Sequence, residues 1–332
     1  MEYDSFKCHL TAKEEQYRKR VQKKIHYCSY DQPYDSGEVV WIFGDKIELT
    51  ELYFDLNIPE ESWEIITEHL ACPSCGHDHF ELAENVGLQT QYEKDIENHT
   101  KQAQKKFGGK IKEFEKHLEK NPMLGFQHSF GKKIYKELKE GNIPSTIISG
   151  EFYRARPVNS SEIYTSKKMG LSPKGKPTEG RFNHSGQSHL YLANDKETAL
   201  MEVVRIEKPS LVWCQKFEIK KEVNRVLDLS FDWMDLSLST STLLLSLKIN
   251  KAIEKDETNS EFWRPDYFLT RFIMDCAKYL GYKGIKYNST KSYSGFNTVL
   301  FFHDEIDIHA IGKPYIEYFT SKEIEQREVM DF

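Results

Sequence analysis

The stretch GRFNHSGQSHLYLANDKETALMEVVRI, residues 180–206, passes from a glycine-rich loop through a short strand into a helix. His189–Ala193 alternates apolar residues at strand spacing, and Asn194 or Asp195 opens a helix that runs to about Ile206, with Glu197 suited to a capping role. Ala199, Leu200, Val203, Val204 and Ile206 mark the apolar side of that helix. Glu202 falls at its border, a position that suits a carboxylate facing a cleft and equally an ordinary surface glutamate.

Upstream, TIISGEFYRARP (146–157) reads as a strand whose alternation sends Phe152, Arg154 and Arg156 to one side and Tyr153 and Ala155 to the other. Two guanidinium groups on one strand face are costly to bury unless paired, so they call for internal carboxylates or an anionic ligand. Between the two stretches, Gly170, Pro173, Gly175, Pro177 and Gly180 make 167–180 a loop. Downstream, 211–229 reads as a pair of strands, 232–256 as helical stretches and 265–280 as a helix. LGYKGIKYNSTKSYSGFNTVLFF (280–302) then supplies a strand at 284–288, a polar turn from Asn288 to Asn297 and a buried strand at 298–302. The order does not follow regular strand–helix alternation, so the expected fold class is α+β.

The first part of the chain has a different texture. A charged helix is expected within 1–24, a strand at 39–43 (VVWIF), a helix over 60–70, an exposed charged helix over 91–120 broken or bent near Gly108-Gly109, and a short helix over 131–140. The expected division is a smaller, largely helical N-terminal domain over 1–90, a charged helical connector over 91–144 and a larger domain over 145–332. Charge supports a division: residues 1–141 hold 20 Lys+Arg against 26 Asp+Glu, net -6, and the remainder is balanced at 26 against 26. Of the ten arginines only Arg18 and Arg20 lie in that first part, so bidentate recognition of phosphate belongs to the rest of the chain. Nucleic-acid binding is disfavoured on the same ground. No stretch approaches the roughly 18 consecutive apolar residues of a membrane span, and the expectation is a soluble, cytoplasmic protein with no membrane partner.

The six cysteines are unevenly spaced. Cys72-Pro73-Ser74-Cys75-Gly76 has the form of a zinc knuckle, a tight turn that aims two thiolates at one metal. His26 and Cys28 are the nearest candidates to complete a four-ligand site, with Cys8, His9, His77 and His79 in reserve. A site with four protein ligands would be structural, and two ordinary buried thiols remain the alternative.

In order along the chain, Tyr-Arg, then Gly-Arg-Phe-Asn with Tyr-Leu-Ala and Glu, then Tyr-Asn-Ser with Gly-Phe-Asn resemble the RES domain family from about Phe152 to Phe302. The resemblance implies a compact mixed α/β domain similar to ADP-ribosyltransferases, NAD as substrate, and a toxin held inactive by an antitoxin or regulatory partner. It places the family's arginine, glutamate and serine on Arg154, Glu202 and Ser289 as catalytic residues. Arg154, Arg181, Tyr191, Ser289 and Asn297 are then the NAD-binding set. Phe182 stands where tryptophan is commoner, and the loop from Arg156 to Gly180 is long for the family. The chemistry agrees with these residue types: arginines for a pyrophosphate, a carboxylate for the cation that develops when the nicotinamide–ribose bond breaks. Water as acceptor makes a glycohydrolase, phosphate a phosphorylase and a protein side chain an ADP-ribosyltransferase. A non-enzymatic adaptor built on the knuckle and the 91–120 helix is the alternative outside enzymes. The extra N-terminal part is expected to sense a trigger or partner.

Overall fold

The computed structural model describes residues 9–35, 37–158, 163–203, 210–230, 240, 242–244, 267–292, 295–301 and 305–319. The fold is mixed α/β, with a helical N-terminal part and a six-stranded sheet in the C-terminal part. The chain divides into two units, the first ending at Asn98 and the second beginning at His99.

The first unit opens with α1 (Ala12–Gln22), closed by a capping box in which Thr11 and Glu14 satisfy each other's backbone N–H groups. Next come β1 (Ile25–Cys28), β2 (Tyr34–Asp35), β3 (Glu38–Val39), β4 (Asp45–Glu48), α2 (Leu49–Asp55), α3 (Trp63–Thr67) and β5 (Asn85–Leu88). β5 is the centre of a three-stranded antiparallel sheet between β1 and β4. Its core gathers Val21, Ile25, Leu49, Tyr53, Ile66 and Val86, with Cys28 and Cys72 among them. Two expectations fail here. VVWIF is not a strand: only Val39 joins the β2–β3 hairpin, and the backbone N–H groups of Ile42 and Phe43 both donate to Gln32 Oε1. The helix expected over 60–70 is a 3₁₀ turn, Glu60–Ser62, followed by the short α3.

The charged segment becomes α4 (Gln91–Lys120), which runs unbroken through Gly108 and Gly109. The division into units falls within this helix, after Asn98. From Ala103 onward it buries Phe107, Ile111, Phe114 and Leu118 at helical spacing and leaves its charges in water. α5 (Ser129–Lys139) folds back onto it. Gly131 lies so close to the carbonyl of Gly125 that a Cβ would stand 2.2 Å from that oxygen. These helices belong to the core of the second unit: Phe114 meets Phe272 edge-on at 5.2 Å, and their apolar side chains form one cluster with Phe182, Leu269, Ile285, Tyr287 and Val299.

The remaining elements are β6 (Ser145–Pro157), α6 (Ser166–Met169), β7 (Leu190–Ala193), α7 (Lys196–Val203), β8 (Ser210–Asp228), α8 (Phe268–Tyr279), β9 (Gly284–Asn288), β10 (Phe296–Leu300) and β11 (Ile308–Phe319). The sheet order is β11-β8-β6-β7-β10-β9, and a parallel pairing of β9 with the end of β8 closes five of the strands into a ring. One face of the ring packs Phe152, Leu190, Leu192, Phe217 and Leu300 together; the other takes the helices. The strand pair expected within 211–229 is one long strand, bent where Arg225 adopts φ +59°. The expected helices of 232–256 lie outside the described residues. Among the described residues no helix is long and apolar enough to cross a membrane.

Candidate functional site

α7 starts at Asp195, whose carboxylate takes the Thr198 N–H and hydroxyl, both at 2.7 Å. Asp195 caps the helix, its short carboxylate reaching the third helical N–H. Small residues let this helix lie close to the sheet: Ala199 and Leu200 pack on Ala155, Ala193, Val212 and Cys214. Glu202 thereby reaches the end of the polar turn. Its Oε1 accepts hydrogen bonds from Ser289 Oγ at 2.7 Å and Asn297 Nδ2 at 2.6 Å.

Both donors are themselves fixed. Ser289 Oγ accepts the N–H groups of Lys291 and Ser292, at 3.1 and 3.2 Å, which leaves its proton to Glu202. Asn297 is 5% exposed and sits on β10 opposite Ala193 of β7 and Tyr287 of β9. The turn is pressed onto the start of α7 at Gly295, where a Cβ would fall 2.0 Å from Thr198 Oγ1. Lys291 closes the arrangement by donating to the Glu202 carbonyl.

A second cluster lies on the same sheet face, because Tyr191 is two residues from Ala193 and pairs with Val299. The Tyr191 hydroxyl accepts from Phe182 N–H at 3.1 Å and donates to Asn183 Oδ1 at 3.0 Å. Asn183 in turn donates to the carbonyls of Thr178 and His184. Burial holds the Tyr191 phenol well above its usual pKa, so it stays a donor. Phe182 is fully buried against Tyr287, the ring centroids 4.9 Å apart, and Arg181 lays its guanidinium over that same Tyr287 ring at 5.6 Å. Glu202, Ser289, Asn297, Tyr191 and Arg181 are thus linked through one sheet face.

Arg154 is placed differently. It shares the Phe152 side of β6 with Arg156, and β6 touches β7 through the single pair Tyr153–Ala193. Arg154 Nη1 and Arg156 Nη2 both donate to the Gly170 carbonyl, at 2.6 and 3.1 Å, and Arg156 also reaches Ser172 Oγ. Among the described residues neither guanidinium has a carboxylate partner. Burial, reinforced by Arg156, pulls Arg154 down to about 9.

Three contributors escaped the sequence reading. Asn183 ends the Gly-Arg-Phe-Asn motif, and the resemblance assigns it no role. Arg271 is an arginine within the apolar run of α8, a signal in itself; it is 2% exposed and pairs with Glu179 at 2.9 Å, just before the turn that bears Arg181. His189, 8% exposed, braces the same turn: its Nδ1 donates to the Phe182 carbonyl at 2.7 Å and its Nε2 faces Lys278 at 3.3 Å. Burial lowers His189 to about 4, with Lys278 and His184 adding repulsion that Asp275 opposes. The unfolded chain takes up this proton below about pH 6.5 and the folded one refuses it until about 4. Stability is expected to fall by about 2–3 kcal/mol as pH drops through that window. Urea melts between pH 7 and 4.5 would show it, and His189→Gln would flatten the dependence.

In the first unit, Cys28, Cys72 and Cys75 come together, and the fourth group beside them is Asp31. His26 is not in the cluster. The β1–β5 register slips between Ile25 and Tyr27, so Cys28 turns inward with Ile25 while His26 does not.

The RES domain profile matches residues 151–320. Among solved structures, the crystal structure of the M. tuberculosis MbcT–MbcA toxin–antitoxin complex contains a similar chain, 12% identical with a TM-score of 0.38, the match covering 58% of this chain and 95% of that one. No curated protein matches.

Proposed function

This chain belongs to the RES domain family, and from that footing we propose that its second unit cleaves NAD at the nicotinamide–ribose bond and acts as a toxin restrained by a protein partner. The observation that carries the reading is the Glu202 carboxylate held by Ser289 and Asn297 on the sheet face of Tyr191 and Arg181. When the carbon–nitrogen bond breaks, its electron pair leaves with nicotinamide and a cation develops at the ribose. A fixed carboxylate stabilises that charge without reorganising. Glu202 is the catalytic group; Ser289 and Asn297 are positioning residues that aim it. Water adding to the ribose carbon and losing a proton gives ADP-ribose, and phosphate gives its phosphorylated counterpart.

Arg154 and Arg181 supply the cations for the pyrophosphate. The Tyr191 hydroxyl proton is committed to Asn183, so this residue offers a ligand its ring and holds the turn that presents Arg181. Incubating the purified chain with NAD, with and without phosphate or candidate proteins, and weighing the products tests the proposal. Release of nicotinamide with ADP-ribose or its phosphate supports it, whereas ADP-ribose appearing on a protein would point to transfer. NAD left intact would refute it. Ser289→Ala removes a hydrogen bond to a charged group, and kcat is expected to fall about 10–100-fold with KM little changed.

A further inference from the structure

We propose that Cys28, Asp31, Cys72 and Cys75 hold one structural zinc ion in the first unit. This stands independently of the NAD reading. The sequence contains two half-sites of the same length, Cys28-Ser-Tyr-Asp31 and Cys72-Pro-Ser-Cys75, and the fold brings them face to face across 41 to 47 residues of chain.

One ligand atom from each residue lies within 4.8 Å of every other. Cys28 Sγ and Cys75 Sγ are 3.4 Å apart, and Cys72 Sγ is 3.0 Å from Asp31 Oδ2. A tetrahedron with zinc–sulfur bonds of about 2.3 Å has sulfur–sulfur edges of about 3.8 Å, close to the 3.4 Å between Cys28 Sγ and Cys75 Sγ.

Backbone amides face the sulfurs. The backbone N–H of Tyr30 points at Cys28 Sγ, and those of Ser74 and Cys75 point at Cys72 Sγ. Each half-site thus turns the amide two residues on toward its leading sulfur. Asp31 is fixed by the Cys28 N–H at 2.6 Å and by the Ser74 side chain. Gly76, at φ +81°, gives the second half-site its turn, and the Cys72 N–H donates to the His77 carbonyl across it. Cys28 and Cys72 are buried in the core of the unit, and Cys75 closes the site from the solvent side. Three sulfurs and a carboxylate suit zinc better than magnesium or calcium, and four protein ligands leave no position for a substrate.

The test uses the full chain purified without chelator, with metal content measured by plasma mass spectrometry. One zinc per chain is expected. Cobalt(II) added to the stripped protein should give the visible bands of a tetrahedral thiolate site, a readout that needs no variant. Cys75→Ser and Asp31→Asn should lower zinc affinity by more than the about 100-fold typical of an outer-shell change, while His26→Ala and His77→Ala should retain the metal. Full-length protein that stays metal-free in zinc-supplemented medium would overturn the proposal. So would a Cys28–Cys75 disulfide found by peptide mapping, or zinc kept by Asp31→Asn and lost by His77→Ala.

Discussion

Glu202→Gln is expected to reduce NAD turnover by about 10²–10³-fold, the usual scale for losing one fixed electrostatic group at a site of developing charge. Glutamine is nearly isosteric and keeps an oxygen for Ser289 Oγ and Asn297 Nδ2, so the hydrogen bonds that hold α7 to the polar turn survive. What disappears is the negative charge. The loss should therefore fall on kcat, with KM and melting temperature close to those of the parent. If Glu202→Gln consumes NAD as fast as the parent, the carboxylate is not the stabilising group and the site lies elsewhere.

Arg271→Ala should cost about 3–5 kcal/mol of stability in the second unit, measured by urea unfolding. Its guanidinium is 2% exposed, pairs with Glu179, donates Nε–H to the Tyr267 carbonyl at 3.1 Å and lies over the Phe268 ring at 4.9 Å. Alanine removes all of these and opens a cavity in α8. Because Glu179 precedes the turn that carries Arg181, the variant should also bind NAD more weakly than its stability alone accounts for. Exchanging both partners for apolar residues of similar volume, Glu179→Leu with Arg271→Met, should recover much of the stability but not the binding. A cost under about 1 kcal/mol for Arg271→Ala would show that the pair is not what secures this helix.

Where periodicity and local chemistry agreed, the elements were legible. The helix of α7, the strand β10 and the apolar stripe of α4 are all readable, whereas Glu202, Ser289 and Asn297 are grouped by the resemblance to the RES family and not by their own spacing. The misses have separate physical causes. Lys220, Lys221 and Glu222 look like a turn, yet they lie on the exposed stretch of β8, where polar side chains cost nothing. β11 escaped notice because Gly312, Lys313 and Pro314 interrupt its alternation, and the structure absorbs them as a register shift between Ile311 and Tyr315. VVWIF is apolar but largely exposed, so its composition misled. Asp31 could not be chosen over His26 from spacing, since the slip in β1 decides which side chain turns inward.

The segment that defines the family begins at residue 151, whereas the core that supports it draws on Phe107, Ile111, Phe114, Leu118 and Ile134. Kinship and autonomy therefore have different borders in this chain. A gene fragment trimmed to the homologous stretch would encode a barrel with one greasy flank unsealed, and any recombination that transplanted the enzyme would have to carry the preceding helical hairpin along as its lining.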